Sequence, residues 1–515
     1  MIKHVQKIRI LLFCLHLIVF VFAACKTTDV VSSQAEEPVL QRPVQEMPAQ
    51  TIPPKTQGVK EDTKAGETKD KTAFSPEAFT GDLQKMLAQG NIKKALAAFE
   101  NLPAEHKNSP DLNYLHASLL LSAGEIRQAE QKAAALLAKN PGNEELLLLN
   151  AMIAKAAGNK TKSTDIIKTV LKKNPNNADA NAAMADTFML TRNFVQANRY
   201  FKKGLDADPK HEASLFGFAQ TSWYLDKVDK AKEGFTKLTE INPQNSMAWS
   251  YLAKLASEKN DYSQALEYIQ KALTYDADYY YHWLDAGSYY IGLNNYAEAE
   301  KAWTRAIAIE PDYFLAYTYR GGLFDEQGKY EQALNDYRDV IRCNPKYYYA
   351  YESIAMLAWR VENWEEALAG FLKAWETNPS NVSYQLMISA VYQKMGNIKV
   401  NKEFLSKVMK NMDKQSLDYL MLRLYYDGLG DSAVLNKVVN HNSRTTKGKM
   451  LFYMALFYEL KGKQELANKI YLEVADMEAP LFFEYRLTQW AVEKMSPGHK
   501  NAAEKEKALN AKPKN

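Results

Sequence analysis

A glycine pattern that could hold a phosphate occurs at Gly428-Leu429-Gly430-Asp431-Ser432-Ala433, which formally matches the dinucleotide-binding fingerprint. In such a site, backbone N–H groups at a helix N-terminus meet the phosphates, and a β-strand leads into the turn. Here the preceding stretch, SLDYLMLRLYY, has the apolar spacing of a helix. We therefore interpret residues 428–433 as a loop between two helices and not as a nucleotide site.

A thiol and an imidazole are further candidates for chemistry. Cys343 lies two residues before Pro345, and no histidine near it in sequence could activate it, so we expect a half-buried free thiol. None of the eight histidines is paired at a metal-ligand spacing, and we expect His282 to be solvated or to lie in a groove. The motifs HExxH, GxSxG and GxxxxGK[ST] are absent from the sequence. We expect no enzyme, no metal site and no cofactor.

The N-terminal segment combines positive charge with a short apolar run. Residues 10–22 are apolar, and 13 residues are too few to span about 30 Å of hydrocarbon comfortably. Three basic residues precede this run: Lys3, Lys7 and Arg9. After it, Ala23, Ala24 and Cys25 resemble the bacterial lipobox, in which a peptidase cuts before the cysteine and the thiol carries diacylglycerol.

The lipobox resemblance implies that residues 1–24 are a lipoprotein signal peptide and that Cys25 is lipidated. An ordinary secretory signal cut near Ala24 and an uncleaved membrane anchor are the alternatives. Residues 25–75 carry five prolines and few apolar side chains, so we expect a disordered tether. Lys26 does not resemble the aspartate that retains enterobacterial lipoproteins at the inner membrane, which favours the outer membrane. The periplasmic and the surface face both remain open.

The composition is that of a folded chain with nearly balanced charge. Hydrophobic residues make up 46% of the 515 residues and charged residues 24%, which excludes a chain that is disordered throughout. The 65 basic and 61 acidic residues give a net charge of +4, too balanced for a protein whose main partner is nucleic acid. With three cysteines, no disulfide framework supports the fold.

Prolines recur at a fixed spacing through most of the chain. Counted in steps of 34 residues, seven of eight positions between 141 and 379 are proline. The seven are Pro141, Pro175, Pro209, Pro243, Pro311, Pro345 and Pro379. Small residues precede each of these positions by 12 residues, from Ala129 to Ala367, and by 24 residues, from Ala117 to Ala355. The spacing predicts two short helices that cross at the small residues, with proline ending the second helix.

The repeating unit resembles the tetratricopeptide repeat. In residues 280–313, the signature positions of that family are occupied by Trp283, Gly287, Tyr290, Tyr296, Ala299, Trp303, Ala306 and Pro311. The resemblance implies an all-α fold, an α-solenoid in which about 11–12 helix-turn-helix units form a right-handed superhelix. We expect this superhelix to occupy residues 76–495, with 482–495 as a C-terminal capping helix and 496–515 as a polar, Lys-rich tail. Residues 416–447 are predicted to be a degenerate, shortened pair.

In the tetratricopeptide family, the first helix of each unit lines the concave groove. The family's groove positions correspond here to Phe216, Gln220, Trp223, Tyr281, Leu284, Ser288, Tyr349, Glu352, Met356 and Trp359. Aromatic side chains among them offer a large contact area at low entropic cost, so they could bind a segment of a partner protein. The alternative is that these aromatic residues only pack one unit on the next.

The resemblances together imply a lipid-anchored scaffold of the bacterial cell envelope that binds partner proteins and not nucleic acid. It would act as an adaptor in envelope assembly, secretion or cell-wall remodelling. A second possibility is a transporter-associated lipoprotein that holds a hydrophobic small molecule or a solute-binding partner. A closed apolar cavity would favour that second function over an open groove.

Overall fold

The computed structural model describes residues 74–88, 91–477 and 482–495, and in these ranges the regular structure consists of 25 α-helices and one short 3-10 turn, with no strand. The predicted all-α fold is therefore confirmed. The predicted signal peptide, Cys25, the tether up to residue 73 and the Lys-rich tail lie outside the described residues. In the described ranges, none of the helices has the length and apolar character needed to cross a membrane.

Contacts divide the chain into two compact units, one up to His282 and one from Trp283 onward. The first unit contains twelve complete helices, which pack as consecutive pairs. They are α1 Pro76–Ala88, α2 Ile92–Ala98, α3 Pro110–Ser122, α4 Ile126–Lys139, α5 Glu144–Ala156, α6 Lys160–Lys173, α7 Ala178–Met189, α8 Phe194–Ala207, α9 Glu212–Tyr224, α10 Val228–Ile241, α11 Ser246–Ser257 and α12 Tyr262–Tyr275. The boundary between the units falls within α13, Tyr280–Gly292.

The second unit continues the same pairing and ends in a single helix. Its helices are α14 Tyr296–Ile309, α15 Phe314–Glu326, α16 Tyr330–Cys343, α17 Tyr349–Arg360, α18 Trp364–Thr377, α19 Val382–Lys394, α20 Ile398–Met409, α21 Leu417–Asp427, α22 Asp431–Val439, α23 Arg444–Leu460, α24 Gln464–Ala475 and α25 Phe483–Met495. The predicted shortened pair corresponds to α21 and α22. Between them Gly428 and Gly430 adopt the left-handed conformation, and residues 428–430 form a loop. The predicted loop over 428–433 was too long, because residues 431–433 already belong to α22.

Several junctions between repeats combine the recurring proline with a capping asparagine. The proline follows the last turn of a second helix, where it prevents continuation of the helix. Two residues later, an asparagine side chain accepts the backbone N–H of the third residue of the next helix. The Oδ1···N distances are 2.9 Å at Asn143, 2.8 Å at Asn177 and 2.9 Å at Asn245. Such a cap stabilises a helix by about 1 kcal/mol.

The turn between the two helices of each repeat is also regular. One residue in it adopts a left-handed backbone conformation, every 34 residues from 124 to 396. The nine residues are Gly124, Gly158, Arg192, Asp226, Asn260, Asn294, Gly328, Glu362 and Gly396. Glycine adopts this conformation without steric penalty, and asparagine and aspartate tolerate it. Arginine and glutamate at two of the turns therefore retain local backbone strain.

Arg192→Gly is expected to stabilise the protein, because the φ of 55° at this turn is unfavourable for a residue with a Cβ atom. We expect a gain of about 0.5–1 kcal/mol in the free energy of unfolding, measured by denaturant titration. The matched control is Gly158→Ala at the equivalent turn, where φ is 81° and no atom lies within 4 Å of the position a Cβ would take. That change should destabilise; a shift of the same sign in both variants would contradict the strain argument.

The predicted crossing points within each hairpin are occupied by small residues that are fully buried, such as Ala231, Ala265 and Ala333. At Gly287 an added Cβ would lie 2.3 Å from Nε1 of Trp303. That indole nitrogen donates a hydrogen bond of 3.1 Å to the carbonyl oxygen of Leu284. The glycine thus lets a tryptophan of the second helix lie directly on the first helix, which explains the paired Gly and Trp of this unit.

Candidate functional site

In the first unit, the three predicted groove residues of α9 contact the following repeat. The Gln220 side-chain amide donates a 2.6 Å hydrogen bond to the hydroxyl of Tyr251. The Trp223 indole donates a 2.8 Å bond to a carboxylate oxygen of Glu258. The Phe216 ring meets the Tyr251 ring at a centroid distance of 5.6 Å in an edge-to-face arrangement. These contacts show that the three residues join neighbouring repeats, and their binding role stays a prediction.

Tyr281 and His282 lie at the end of the first unit, and both are buried. Tyr281 meets Tyr280 edge to face at a centroid distance of 5.2 Å. The prediction of a solvated His282 is wrong, because its side chain is 0% exposed. It occupies the third position of its helix, where α7 and α11 carry the fully buried Ala180 and Ala248. The repeat geometry therefore buries whatever side chain stands at this position.

The imidazole of His282 is held in its neutral form. Neither ring nitrogen has a hydrogen-bond partner within the described part of the chain. Burial, together with the positive charge of Lys254, lowers the pKa of His282 from 6.5 to about 3. Protonation of this ring would place an unpaired charge in the core, so the folded state resists it.

The stability of the protein is expected to fall on acidification, in part because of His282. A histidine with a depressed pKa in the folded state contributes its full stability above its unfolded pKa of 6.5, and this contribution is lost as the pH falls toward 3. Between pH 7 and pH 5, the loss from one such group is about 2 kcal/mol. His282→Phe, compared with the parent by denaturant titration at both pH values, should remove that part of the pH dependence. An unchanged pH dependence would show that the ring is not buried as described.

In the second unit, Leu284 and Ser288 of α13 differ in accessibility. Leu284 is buried, and its carbonyl oxygen accepts the hydrogen bond from Trp303. Ser288 is exposed, and its hydroxyl donates a 3.3 Å hydrogen bond to the same carbonyl oxygen. Leu284 thus belongs to the hairpin core, whereas Ser288 remains available for contact.

An exposed cluster of tyrosines, which we call the tyrosine patch, surrounds the start of α17. It consists of Tyr347, Tyr348 and Tyr349, with Phe314 of the preceding unit beside Tyr347 at a centroid distance of 5.0 Å. The Tyr348 and Tyr349 rings lie 4.2 Å apart, and their hydroxyl oxygens are 2.9 Å from each other. Tyr349 is 63% exposed. Among the predicted groove residues, it offers a large aromatic surface to a partner.

The other three predicted groove residues of α17 are engaged in intramolecular packing. Glu352 accepts a hydrogen bond from the hydroxyl of Tyr384, and burial raises the pKa of the Glu352 carboxyl above its usual value. Met356 is buried. Trp359 packs edge to face on Trp364 at a centroid distance of 5.2 Å. Whether these three also contact a partner stays a prediction.

Helix α25 makes contacts that sequence reasoning did not predict. It packs on the last hairpin, as a capping helix would, with the Tyr485 hydroxyl donating to the Ala475 carbonyl over 3.2 Å. It also returns to much earlier repeats. The Arg486 guanidinium donates to Asp325 of α15, and Glu493 pairs with Arg360 of α17 at 3.1 Å. Nothing in the repeat period signals this return, because the contacts join residues far apart in sequence.

A polar cleft lies between α25 and the first of these repeats. It is lined by Gly322, Asp325, Glu326, Tyr337, Arg486 and Glu493, among others. Its walls carry both acidic and basic groups, so a hydrophobic small molecule would find little apolar surface in it.

Cys343 is a free, half-buried thiol, as predicted. Its Sγ lies 3.6 Å from the carbonyl oxygen of Pro311. Burial raises the pKa of this thiol, so it remains protonated and weakly nucleophilic. In residues 74–88, 91–477 and 482–495, no group of three or more His, Cys, Asp or Glu side chains is arranged to hold a metal ion.

Sequence profiles of known families match the repeated part of the chain. Two profiles, both described as tetratricopeptide repeat, match residues 216–280, 284–347 and 323–382, and residues 120–187. Residues 120–187, 216–280 and 284–382 of this chain are tetratricopeptide repeats. Tetratricopeptide repeats form scaffolds for protein–protein interaction, and proteins built from them generally act without catalysis of their own.

Several solved tetratricopeptide repeat structures are similar to this chain. One, from Parabacteroides merdae, shares 16% identity, with a TM-score of 0.37 over 48% of this chain and 98% of its own. Pseudomonas aeruginosa PilF shares 16% identity, with a TM-score of 0.36 over 40% and 95%. YrrB, described as having an unusual peptide-binding site, shares 16% identity, with a TM-score of 0.32 over 39% and 99%. A search of curated protein sequences finds no significant match.

Proposed function

We propose that this tetratricopeptide repeat protein is a lipid-anchored scaffold of the bacterial cell envelope. It binds partner proteins in the groove lined by the first helix of each repeat. The observation that carries the binding role is the tyrosine patch, which leaves the Tyr349 ring 63% exposed on a helix of the repeat array. The lipobox-like Ala23-Ala24-Cys25 supports the anchor. The protein would serve as an adaptor in envelope assembly, secretion or cell-wall remodelling.

The chemistry of the patch suits a protein partner. Tyrosine combines a rigid apolar ring with a hydroxyl that can donate or accept a hydrogen bond, and it is enriched in binding hot spots. Tyr348 and Tyr349 present two such rings side by side with their hydroxyls 2.9 Å apart. Holding this apolar area in water is unfavourable, so its burial against a partner would stabilise a complex.

The binding role is tested by the double substitution Tyr348→Ala and Tyr349→Ala. Because both side chains are exposed, the free energy of unfolding should change by less than about 0.5 kcal/mol. Crosslinking in membranes, affinity capture of the full chain and mass spectrometry should show partners that the parent retains and this variant loses. Tyr296→Ala is the matched control, since Tyr296 is 42% exposed on α14, a second helix. Equal losses in both variants, or none in either, would contradict the proposal.

The anchor is tested separately by Cys25→Ser. The parent should incorporate a metabolic fatty-acid label and sediment with membranes, whereas the variant should do neither. Separation of inner and outer membranes then tests the outer-membrane location, which we infer from Lys26. A labelled variant, or an unlabelled parent, would remove the lipoprotein part of the proposal without affecting the binding role.

The transporter-associated alternative finds less support. A hydrophobic ligand would need a closed apolar cavity, and the cleft beside α25 is lined by charged side chains such as Asp325, Arg486 and Glu493. We therefore retain the scaffold as the proposed function.

A further inference from the structure

Helix α25 contacts earlier helices of the second unit through one stripe of its surface. Phe483, Arg486, Trp490 and Glu493 are spaced by three, four and three residues, which places them on one face of a helix. The Phe483 ring stacks on Tyr384 of α19 at a centroid distance of 5.9 Å. The other three residues contact α15, α16 and α17. One helix face thus meets four earlier helices.

The partners of this stripe are complementary to it in chemistry. Arg486 pairs with Asp325, whose side chain is only 8% exposed. Trp490 meets the Tyr330 ring edge to face at 5.5 Å, and the Arg486 guanidinium lies 4.5 Å from the Trp490 ring. Glu493 pairs with Arg360. The earlier repeats therefore offer an acid, an aromatic ring and a base in the order that α25 requires.

This docking leaves one buried carboxyl group poorly satisfied. Glu484 of α25 is 0% exposed, and its Oε2 atom has no hydrogen-bond partner among the described residues. Its Oε1 atom lies 2.9 Å from the hydroxyl of Tyr453, but that hydroxyl is also 3.0 Å from the carbonyl oxygen of Ser383. A hydroxyl has one proton, so it cannot donate fully to both acceptors. Burying an under-bonded carboxyl group is unfavourable, and its return to water offsets part of the cost of releasing α25.

We propose that α25 is a displaceable internal ligand, and that the surface it covers binds a partner helix carrying the same stripe of aromatic, arginine, aromatic and acidic side chains. This inference rests on the proposed partner-binding function and names the partner's chemistry at a second surface. The free protein keeps the surface closed with α25. A partner helix binds where α25 has left, so its apparent affinity is reduced by the small fraction of open molecules.

The test uses a fluorescent synthetic peptide of residues 482–495 and the full chain. Arg486→Ala with Trp490→Ala in the chain weakens the internal ligand and leaves the repeats unchanged. Fluorescence anisotropy should show the peptide binding this variant at least about tenfold more tightly than the parent. A peptide with the same two alanines should bind neither chain. Equal affinity for parent and variant, or no binding to either, overturns the proposal.

A second measurement covers the case in which the variant does not fold. Excess peptide is added to isotope-labelled parent chain, and hydrogen exchange is followed by mass spectrometry. The amides of α25 should exchange faster when peptide is present, while those of α23 should not change. Unchanged exchange in α25 overturns the proposal, and so does a dimer that exchanges α25 between copies.

These measurements use no natural partner. Peptide binding with no loss of partners from the tyrosine-patch variant would leave this inference standing and refute the binding role of the patch. Loss of partners from the tyrosine-patch variant without the expected peptide binding would refute only the inference about α25.

Discussion

Replacing Ala299 by arginine is expected to lower the free energy of unfolding by about 3–5 kcal/mol. Ala299 is fully buried on α14, at the crossing with the first helix of its hairpin. A longer side chain there would force the two helices apart, and its guanidinium would enter the core without a partner. The second unit should lose much of its cooperative unfolding transition.

Circular dichroism during thermal and denaturant unfolding checks this expectation. The matched control is Ala308→Arg, which introduces the same side chain at an exposed position of the same helix. That control should change the stability by less than about 0.5 kcal/mol. Similar melting curves for Ala299→Arg and the parent would contradict the assignment of position 299 to a helix crossing.

Gly370→Ala is expected to be the second strongly destabilising change, although alanine normally favours a helix. A Cβ at this position of α18 would lie 2.8 Å from the Cβ of Ala355 and 2.9 Å from the carbonyl oxygen of Tyr351. The positions of both atoms are fixed by the backbone of α17, so neither can rotate away. The two helices must separate, and we expect a loss of about 2–3 kcal/mol in the free energy of unfolding.

Gly322→Ala provides a control of opposite sign. In α15 the nearest atom to an added Cβ is the Tyr337 hydroxyl at 3.9 Å, which is ordinary contact. Alanine there should stabilise the helix by up to about 1 kcal/mol. If both glycine substitutions stabilise in chemical denaturation, the close approach of α17 and α18 is wrong.

The helix hairpins could be predicted from the sequence because each is determined by local pattern. Proline ends a helix by covalent geometry, and a small residue permits a close crossing wherever it recurs at the same spacing. Ala231, Ala265 and Ala333 are buried for this reason. The left-handed turns are harder to predict from the sequence, because Arg192 and Glu362, whose residue types rarely adopt this conformation, occupy two of them.

The groove could be predicted only in part. Tyr281 and Tyr349 occupy equivalent positions, yet Tyr281 is 4% exposed and Tyr349 is 63% exposed. Periodicity gives the position of a side chain within its own unit and not what covers that unit. His282 shows the same limit in reverse, because a residue type that usually lies at the surface stands at a position that the repeat buries.

The return of α25 to α15 and α17 could not be predicted from spacing. It depends on how small rotations between successive hairpins accumulate, and the side chains that make the contact, Arg486 and Trp490, belong to no repeat. The sequence does show a stripe of aromatic and charged side chains on one face of the helix after the last hairpin. It does not show which earlier residues this stripe contacts.

The pairing of Asp325 with Arg486 spans 161 residues, which has a consequence for biogenesis. Each hairpin needs only its neighbours, so it can form as soon as it emerges during synthesis. The surface that α25 covers must instead wait, with Tyr330 and Tyr384 uncovered, until residues 483–495 have been made. A nonsense mutation shortly before codon 483 would leave that surface permanently open, making the product a target for chaperones and proteases even though every repeat is intact.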